Sequence, residues 1–243
     1  MTETAISASR LSYLAGARRI LDGIELSIPR GSFTVVVGEN GAGKTTLLKL
    51  LMGFAKPSEG QVLMNGREPQ LDPYADRQSV AYINEKMTPP NDWTIAEFLS
   101  FNRWFYRDYS SELEERLLAT FKLKREDRVG TLSAGEVRRV QVVAALAISP
   151  RILLIDEITA VLDIVGRSKF MQALRELQDR AGTTIVMATN IIDDVDSYAT
   201  HVVLLHAGRL ALQAEKAELL RKAPAGQTLT DTLARLIEEA ERQ

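Results

Sequence analysis

The stretch "GENGAGKTT", Gly38 to Thr46, follows the apolar run "FTVVV" and packs glycines, one lysine and two hydroxyls into a short span. Gly38, Gly41, Gly43, Lys44 and Thr45 fit the spacing G-x-x-x-x-G-K-[ST]. Glycines at those places let the chain curl, so that the amides of a loop through Glu39, Asn40 and Ala42 can point at phosphate oxygens. A helix beginning at Lys44 and running through Thr46 adds its positive end. Lys44 can neutralise charge between two phosphates, and the Thr45 hydroxyl can ligate Mg²⁺. Average composition would produce this pattern in a chain of this length on the order of 1% of the time. A strand before it and a helix after it make an accidental match rarer still.

Two further stretches carry chemistry of the same kind. "ILLIDE" is a short apolar run that ends in two acids. In a parallel sheet such a strand is buried, and ligands sit beyond its carboxyl end. Asp156 there can hold Mg²⁺ through water, and Glu157 is the candidate to polarise an attacking water. On its own the run also reads as a strand closing in two solvated acids. In "TLSAGEVRRVQVVAAL", Ser133 and Glu136 form an S-x-x-E capping box. That is a helix start, and with Gly135 in its first turn it is also an anion site. One chain therefore carries two helix starts suited to phosphate, and a single nucleotide within one protomer does not need both.

Strand-like runs alternate with helical ones: Phe33–Gly38, Ser79–Ile83, Ile152–Asp156, Thr183–Thr189 and His201–His206, with helices expected at Lys44–Met52, Val137–Ile148 and Val165–Gln178. Several of the strands are apolar throughout, as strands buried on both faces are, and the alternation argues an α/β fold with a mostly parallel sheet. "ISASRLSYL", "ILDGIELSI" and "GQVLMNGREP" read as an N-terminal antiparallel β subdomain. Consecutive helices interrupt the alternation and suggest an inserted helical subdomain at about 88–150. One opens at the Thr94–Glu97 capping box. The aromatic stripe Phe98, Phe101, Trp104, Phe105 and Tyr106 is expected to be core, with a docking surface as the alternative. After "APAG" a short helix at about 227–243 carries Leu229, Leu233, Leu236 and Ile237 on one face, and is expected to pack on its own domain. His201 and His206 are taken as structural. The "REDR" cluster and the "RR" pairs are read as solvated faces.

Composition narrows the function. The 243 residues carry a formal net charge of -2 and include no cysteine. No excess of Lys and Arg marks a nucleic-acid partner, and thiolate metal sites and Cys nucleophiles are excluded. "MTETAISASR" lacks the order of a signal peptide, and no apolar run approaches the roughly 20 residues of a membrane helix. A membrane role is expected to come through a partner.

Taken in order, the motifs resemble the ATP-binding cassette (ABC) ATPases of transporters over about residues 11–210. "GENGAGKTT" matches the family's Walker A loop, "TLSAGE" resembles its LSGGQ signature, "ILLIDE" matches Walker B with the catalytic Glu157, and "VLD", ending at Asp163, matches the D-loop. The resemblance implies a P-loop NTPase fold and one cassette spanning 1–243. It implies ATP and Mg²⁺ as cofactors and hydrolysis coupled to transport. It also implies a head-to-tail pair in which ATP on one Walker A is closed over by Ser133, Ala134, Gly135 and Glu136 of a second cassette. Integral membrane permease subunits would hold the pair on the cytoplasmic face of the membrane.

Several positions depart from the family's pattern. Asn190 stands where a His is usual; it can hydrogen-bond a γ-phosphate but cannot become cationic, so slower hydrolysis is expected. Ala134 and Glu136 replace Gly and Gln, Ile158 replaces Pro, and Ala15 stands where an adenine-stacking aromatic is usual, with Tyr13 two residues earlier. The Q-loop position, a candidate Mg²⁺ contact, falls on Glu85, as in the family's exporter-like branch. A second reading is an ATP-gated regulatory or structural module with little hydrolysis. A third is a soluble translation or repair ATPase of the same superfamily.

Overall fold

A computed structural model describes residues 3–69, 77–158, 162–192, 196–224 and 226–241. Thr159 of "EIT", Val161 of the D-loop, Ala225 of "APAG" and the last two residues of the expected final helix lie outside them. The chain divides into two compact units, Met1–Pro73 with Thr184–Gln243, and Tyr74–Thr183.

The first unit opens with β1 (Thr4–Ala15) and β2 (Arg18–Pro29), paired antiparallel, and β4 (Glu59–Met64) pairs antiparallel on the other side of β1. Between them in sequence lies β3 (Phe33–Val37), buried along its whole length. β3 is flanked in parallel by β7 (Thr184–Ala188) and β8 (His201–His206), which is why none of the three alternates apolar with polar. The antiparallel β9 (Arg209–Glu215) closes that side. α1 (Lys44–Leu51) follows β3 and buries Leu47, Leu48, Leu50 and Leu51 completely. Truncating any one of these leucines to Ala would cost about 2–5 kcal/mol. α6 (Lys216–Lys222) and α7 (Leu229–Glu241) end the unit. Leu229 and Leu233 of α7 are buried and Leu236 and Ile237 half-buried, as the apolar face requires.

The second unit contains β5 (Val80–Asn84) parallel to β6 (Ile152–Asp156), and four helices. α2 (Ile95–Phe105) starts at the Thr94–Glu97 capping box, and α3 (Ser111–Phe121) at an N-cap from Ser110. α4 (Ala134–Ala147) starts at the Ser133–Glu136 box. α5 (Ile164–Ala181) is N-capped by Asp163 and stops at Gly182, whose φ of 63° suits a residue without Cβ.

Three expectations are overturned here. The aromatic stripe is not core. α2 buries only Ile95 and Leu99, one turn apart, and a single stripe is all that a helix packed on one side can bury. Trp104 is 82% exposed, and Phe101 and Phe105 are about half exposed. Edge-to-face contacts join Trp93, Phe101, Phe105 and Trp104 into one surface cluster, with centroids 4.7–5.4 Å apart. "REDR" is not merely solvated, because Arg125 pairs with Glu115 and with the fully buried Glu114. Of the "RR" pairs, Arg138 is only 4% exposed.

Candidate functional site

The first unit supplies the phosphate loop. β3 delivers the chain to Gly38, and α1 begins at Lys44 after Gly43, which sits at φ 104°. A Cβ on Gly43 would stand 2.5 Å from Leu21 Cδ2, and one on Gly38 would collide with the Leu205 carbonyl. Both positions therefore require glycine for space as well as for conformation. α1 has no side-chain N-cap bond and no acid in its first turn, so no carboxylate of its own opposes the positive end of its dipole. The Lys44 ammonium is buried and donates to the carbonyls of Gly38 (2.8 Å) and Glu39 (3.1 Å). Those bonds brace the curl and hold the charge inside it. Thr45 is exposed and Thr46 half-buried at the head of the helix.

Asn190, just beyond β7, donates from Nδ2 to Asn40 Oδ1 at 3.0 Å. The departure from His thus brings an amide that ties the switch position to the phosphate loop. A cavity of about 440 Å³ beside this pair is lined by Gly38, Glu39, Thr189, Asn190, Ala234 and Ile237, among others. α7 therefore reaches the edge of the phosphate loop, which the sequence did not suggest. Ala15 is exposed at the end of β1, and Tyr13 is half-buried opposite Leu21.

The second unit supplies the acids. Asp156 ends β6 at 6% exposure and accepts a hydrogen bond from the Tyr82 hydroxyl at 3.2 Å. Burial, and then the charge of Asp156, hold the Tyr82 phenol far above its ordinary value, so it stays a donor. Sequence reasoning missed Tyr82; its signal was a hydroxyl between the apolar residues Ala81 and Ile83 of β5. Glu157 is half-buried and adopts φ 51°, the left-handed region, which is uncommon for a residue with a side chain. Strained residues of this kind cluster at functional sites. Ile158 is buried where Pro is usual in the family.

The head of α4 is already capped from within. Ser133 Oγ accepts from the Glu136 amide, while Glu136 Oε2 accepts from Ser133 N (2.9 Å) and Ser133 Oγ (2.7 Å). The bonds from the Ser133 hydroxyl and amide keep the Glu136 carboxyl below its ordinary range, so it is charged. Ala134 and Gly135 form the first turn behind it. Asp163 uses Oδ1 to cap Gly166 N and Oδ2 to accept from Arg139 of α4 at 2.7 Å. The exposed Ile164 and Val165 follow it. Glu85 follows directly on β5, in the loop that Arg138 of α4 grips.

Among the described residues no cluster of three or more His, Asp or Glu could hold a metal ion by itself. Mg²⁺ beside a nucleotide needs less, since one or two carboxylates, phosphate oxygens and water complete its octahedron. The buried carboxylate of Asp156 and the hydroxyl of Thr45 are donors of that hard, oxygen type. His201 and His206 sit half-buried at the two ends of β8, with His201 Nδ1 3.0 Å from Thr200 Oγ1.

A Gly-Lys-Thr loop between a buried parallel strand and a helix, in an α/β fold, defines a P-loop NTPase. The match of residues 21–160 to the ABC transporter family model goes further, and the chain belongs to that family. It is 29% identical to the achromobactin transport ATP-binding protein CbrD of Dickeya dadantii (strain 3937), over 90% of this chain and 86% of that one. It is 35% identical to the energy-coupling factor transporter ATP-binding protein EcfA2 of Latilactobacillus sakei subsp. sakei (strain 23K), over 77% of this chain and 69% of that one. A solved ATP-binding subunit of an ABC transporter superposes with a TM-score of 0.87 at 26% identity, covering 96% of this chain and 99% of the other. A post-hydrolysis dimer of the cassette MJ0796 bound to ADP and Pi superposes with a TM-score of 0.76 at 25% identity, covering 86% and 98%. The chain is an ATP-binding subunit of an ABC transporter, an ATPase whose hydrolysis is coupled to transport.

Proposed function

We propose that the chain, as one cassette of residues 1–243 with its helical part at about 88–150 and its last helix at about 227–243, powers an exporter as half of a head-to-tail ATP-bound dimer. The observation that carries this is the pair of phosphate-suited helix starts in one chain, Gly43–Lys44 in the first unit and Ser133 in the second. Each ATP then lies on the amides of Gly38–Thr46 and on Lys44 of one copy. Ser133, Ala134, Gly135 and Glu136 of the second copy close over it, and Asp163 with the exposed Ile164 and Val165 contributes to the seam. Thr45, Asp156 and Glu85 hold Mg²⁺, which supplies charge neutralisation for the leaving phosphates. Tyr82 keeps the Asp156 carboxylate oriented. Glu157 accepts a hydrogen bond from the attacking water, and Asn190 donates to the γ-phosphate.

No helix among the described residues is long and apolar enough to cross a membrane. On this reading the work is delivered to separate permease subunits from the cytoplasmic face. The exposed cluster of Phe101, Trp104 and Phe105, next to a cavity of about 250 Å³ lined by Met87, Phe98 and Tyr106, suits an apolar segment of such a permease. Glu85 at the Q-loop position supports export. The named relatives set the class and not the direction.

The absence of cysteine makes the dimer testable. One preparation carries Asn40→Cys and another Ala134→Cys, each with Glu157→Gln to trap ATP. A short bifunctional thiol reagent should link the two chains in MgATP and not in ADP. No link in a folded, ATP-binding mixture, or a link independent of nucleotide, would remove the head-to-tail arrangement.

A further inference from the structure

Arg138 is a cation on the buried side of α4, and its bonds are unusual for a helix arginine. Nη1 donates to the Asn84 carbonyl at 2.8 Å and to Gln141 Oε1 at 2.6 Å, and Nη2 donates to the Glu85 carbonyl at 3.0 Å. Nε is buried and finds no acceptor among the described residues. Desolvating a guanidinium and leaving one of its donors unmet costs stability. A fold that needed only to fill this space would do better with an apolar side chain.

The two carbonyls decide what the arginine is for. They belong to the last residue of β5 and to Glu85 itself. Asn84 also turns the loop, because its Oδ1 accepts from the amides of both Lys86 and Met87 at 2.8 Å. In the β5–β6 register Asn84 lies opposite Asp156. At the other end of the grip, Arg138 belongs to the helix whose N-cap is Ser133. Only a planar fork reaches two successive carbonyls and a side-chain amide at once.

We infer that Arg138 is a positioning residue that clamps the Glu85 loop to the helix headed by Ser133, so that the metal-facing loop and the phosphate-facing helix start move as one body. The inference rests on the assignment of Glu85 to Mg²⁺ made above. Releasing the clamp leaves the Gly38–Thr46 loop intact, so metal-free ATP binding is retained while the metal-dependent part of the affinity is lost. Groups that hold a metal-facing residue in place typically affect metal affinity by about 10-fold or more.

The test is calorimetric titration of ATP into the full chain carrying Glu157→Gln, once with Mg²⁺ and once with a chelator. Arg138→Met should weaken binding about tenfold in Mg²⁺ and leave it within about twofold in chelator, and Arg138→Lys, a cation without the planar fork, should recover only a minor part of the loss. A purely packing role would lower the melting temperature with both affinities unchanged, or lower both alike, and either result overturns the clamp. Should Arg138→Met fail to fold, Asn84→Ala loosens the same loop without disturbing α4 and must give the same Mg²⁺-specific loss. Glu85→Gln separates the two levels of the claim. If it shifts the Mg²⁺ dependence and Arg138→Met does not, the clamp is wrong and the metal assignment stands. If Glu85→Gln changes nothing, the metal assignment falls and the clamp falls with it.

Discussion

Replacing Glu136 by Gln removes one negative charge from the head of α4 and leaves the cap in place, since an amide oxygen can still accept from Ser133 N. The carboxylate lies 2.7 Å from Ser133 Oγ. A γ-phosphate oxygen that takes the hydroxyl's one proton in place of Glu136 would sit about 5 Å from the carboxylate at normal hydrogen-bond length. One pair of like charges at that separation costs about 1–3 kcal/mol for an effective dielectric between roughly 80 and 20. In the proposed dimer the wild-type helix start therefore resists the phosphate it would receive. Glu136→Gln should tighten the ATP-bound dimer by roughly 5- to 150-fold per site. Sedimentation analysis of the Glu157→Gln chain in MgATP, with and without Glu136→Gln, reads this directly. Because hydrogen bonds from Ser133 lower the Glu136 pKa, the charge persists at neutral pH, and mild acidification gives no relief. Raising salt from 0.1 to 1 M shortens the screening length from about 10 to about 3 Å and should narrow the difference. Equal or weaker dimerisation by Glu136→Gln at low salt would refute the argument, because the carboxylate would then help the closed state.

Gly43→Ala places a side chain at φ 104° against Leu21, and should cost about 1–3 kcal/mol and abolish ATP binding, both readable by thermal melts with and without nucleotide. Asn190→His restores a group able to become cationic beside the γ-phosphate, and turnover should rise about tenfold. Glu114 gives the pH dependence. Burial alone would raise its carboxyl, but hydrogen bonds from Tyr109, Arg125 and Arg103 hold it below the ordinary 4.5. Its contribution is then fully present above that value and is lost as pH falls through the lowered one. Glu114→Gln should cost about 3 kcal/mol at neutral pH and flatten the fall in urea midpoint below pH 4.5, since Arg103 and Arg125 lose their shared buried partner.

Much of the fold was legible because its strands are plain. β3, β6 and β8 are built on the apolar runs Val35–Val37, Ile152–Ile155 and Val202–Leu205, and burial on both faces is the direct reading of such runs. The capping boxes at Thr94 and Ser133 marked two helix starts, although the apolar pattern alone began the second helix only at Val137, three residues late. β9 and α6 escaped notice: "RLALQAE" is half-exposed along most of its length, and "KAELLRK" is too short for a period to stand out. The site was legible where chemistry is local, as at Lys44 or Asp156. It was not legible where residues meet across the chain. Asn190 and Asn40 are 150 positions apart, and nothing local in either announces the other. Arg138 was hidden by a sound rule that charges on helices face water. The rule failed because backbone carbonyls outside the helix supplied its acceptors. The aromatic stripe failed in the opposite direction, since apolar spacing on α2 cannot distinguish a face that meets its own core from one kept for a partner.

In the proposed dimer this chain hydrolyses ATP by pairing the phosphate loop of one copy with the signature helix of another. Steady-state ATP turnover by the purified chain, measured over a range of protein concentration with Glu157→Gln as control, tests it most directly. Specific activity should rise with chain concentration and disappear in Glu157→Gln. Activity that is independent of concentration, or that survives Glu157→Gln, would contradict it.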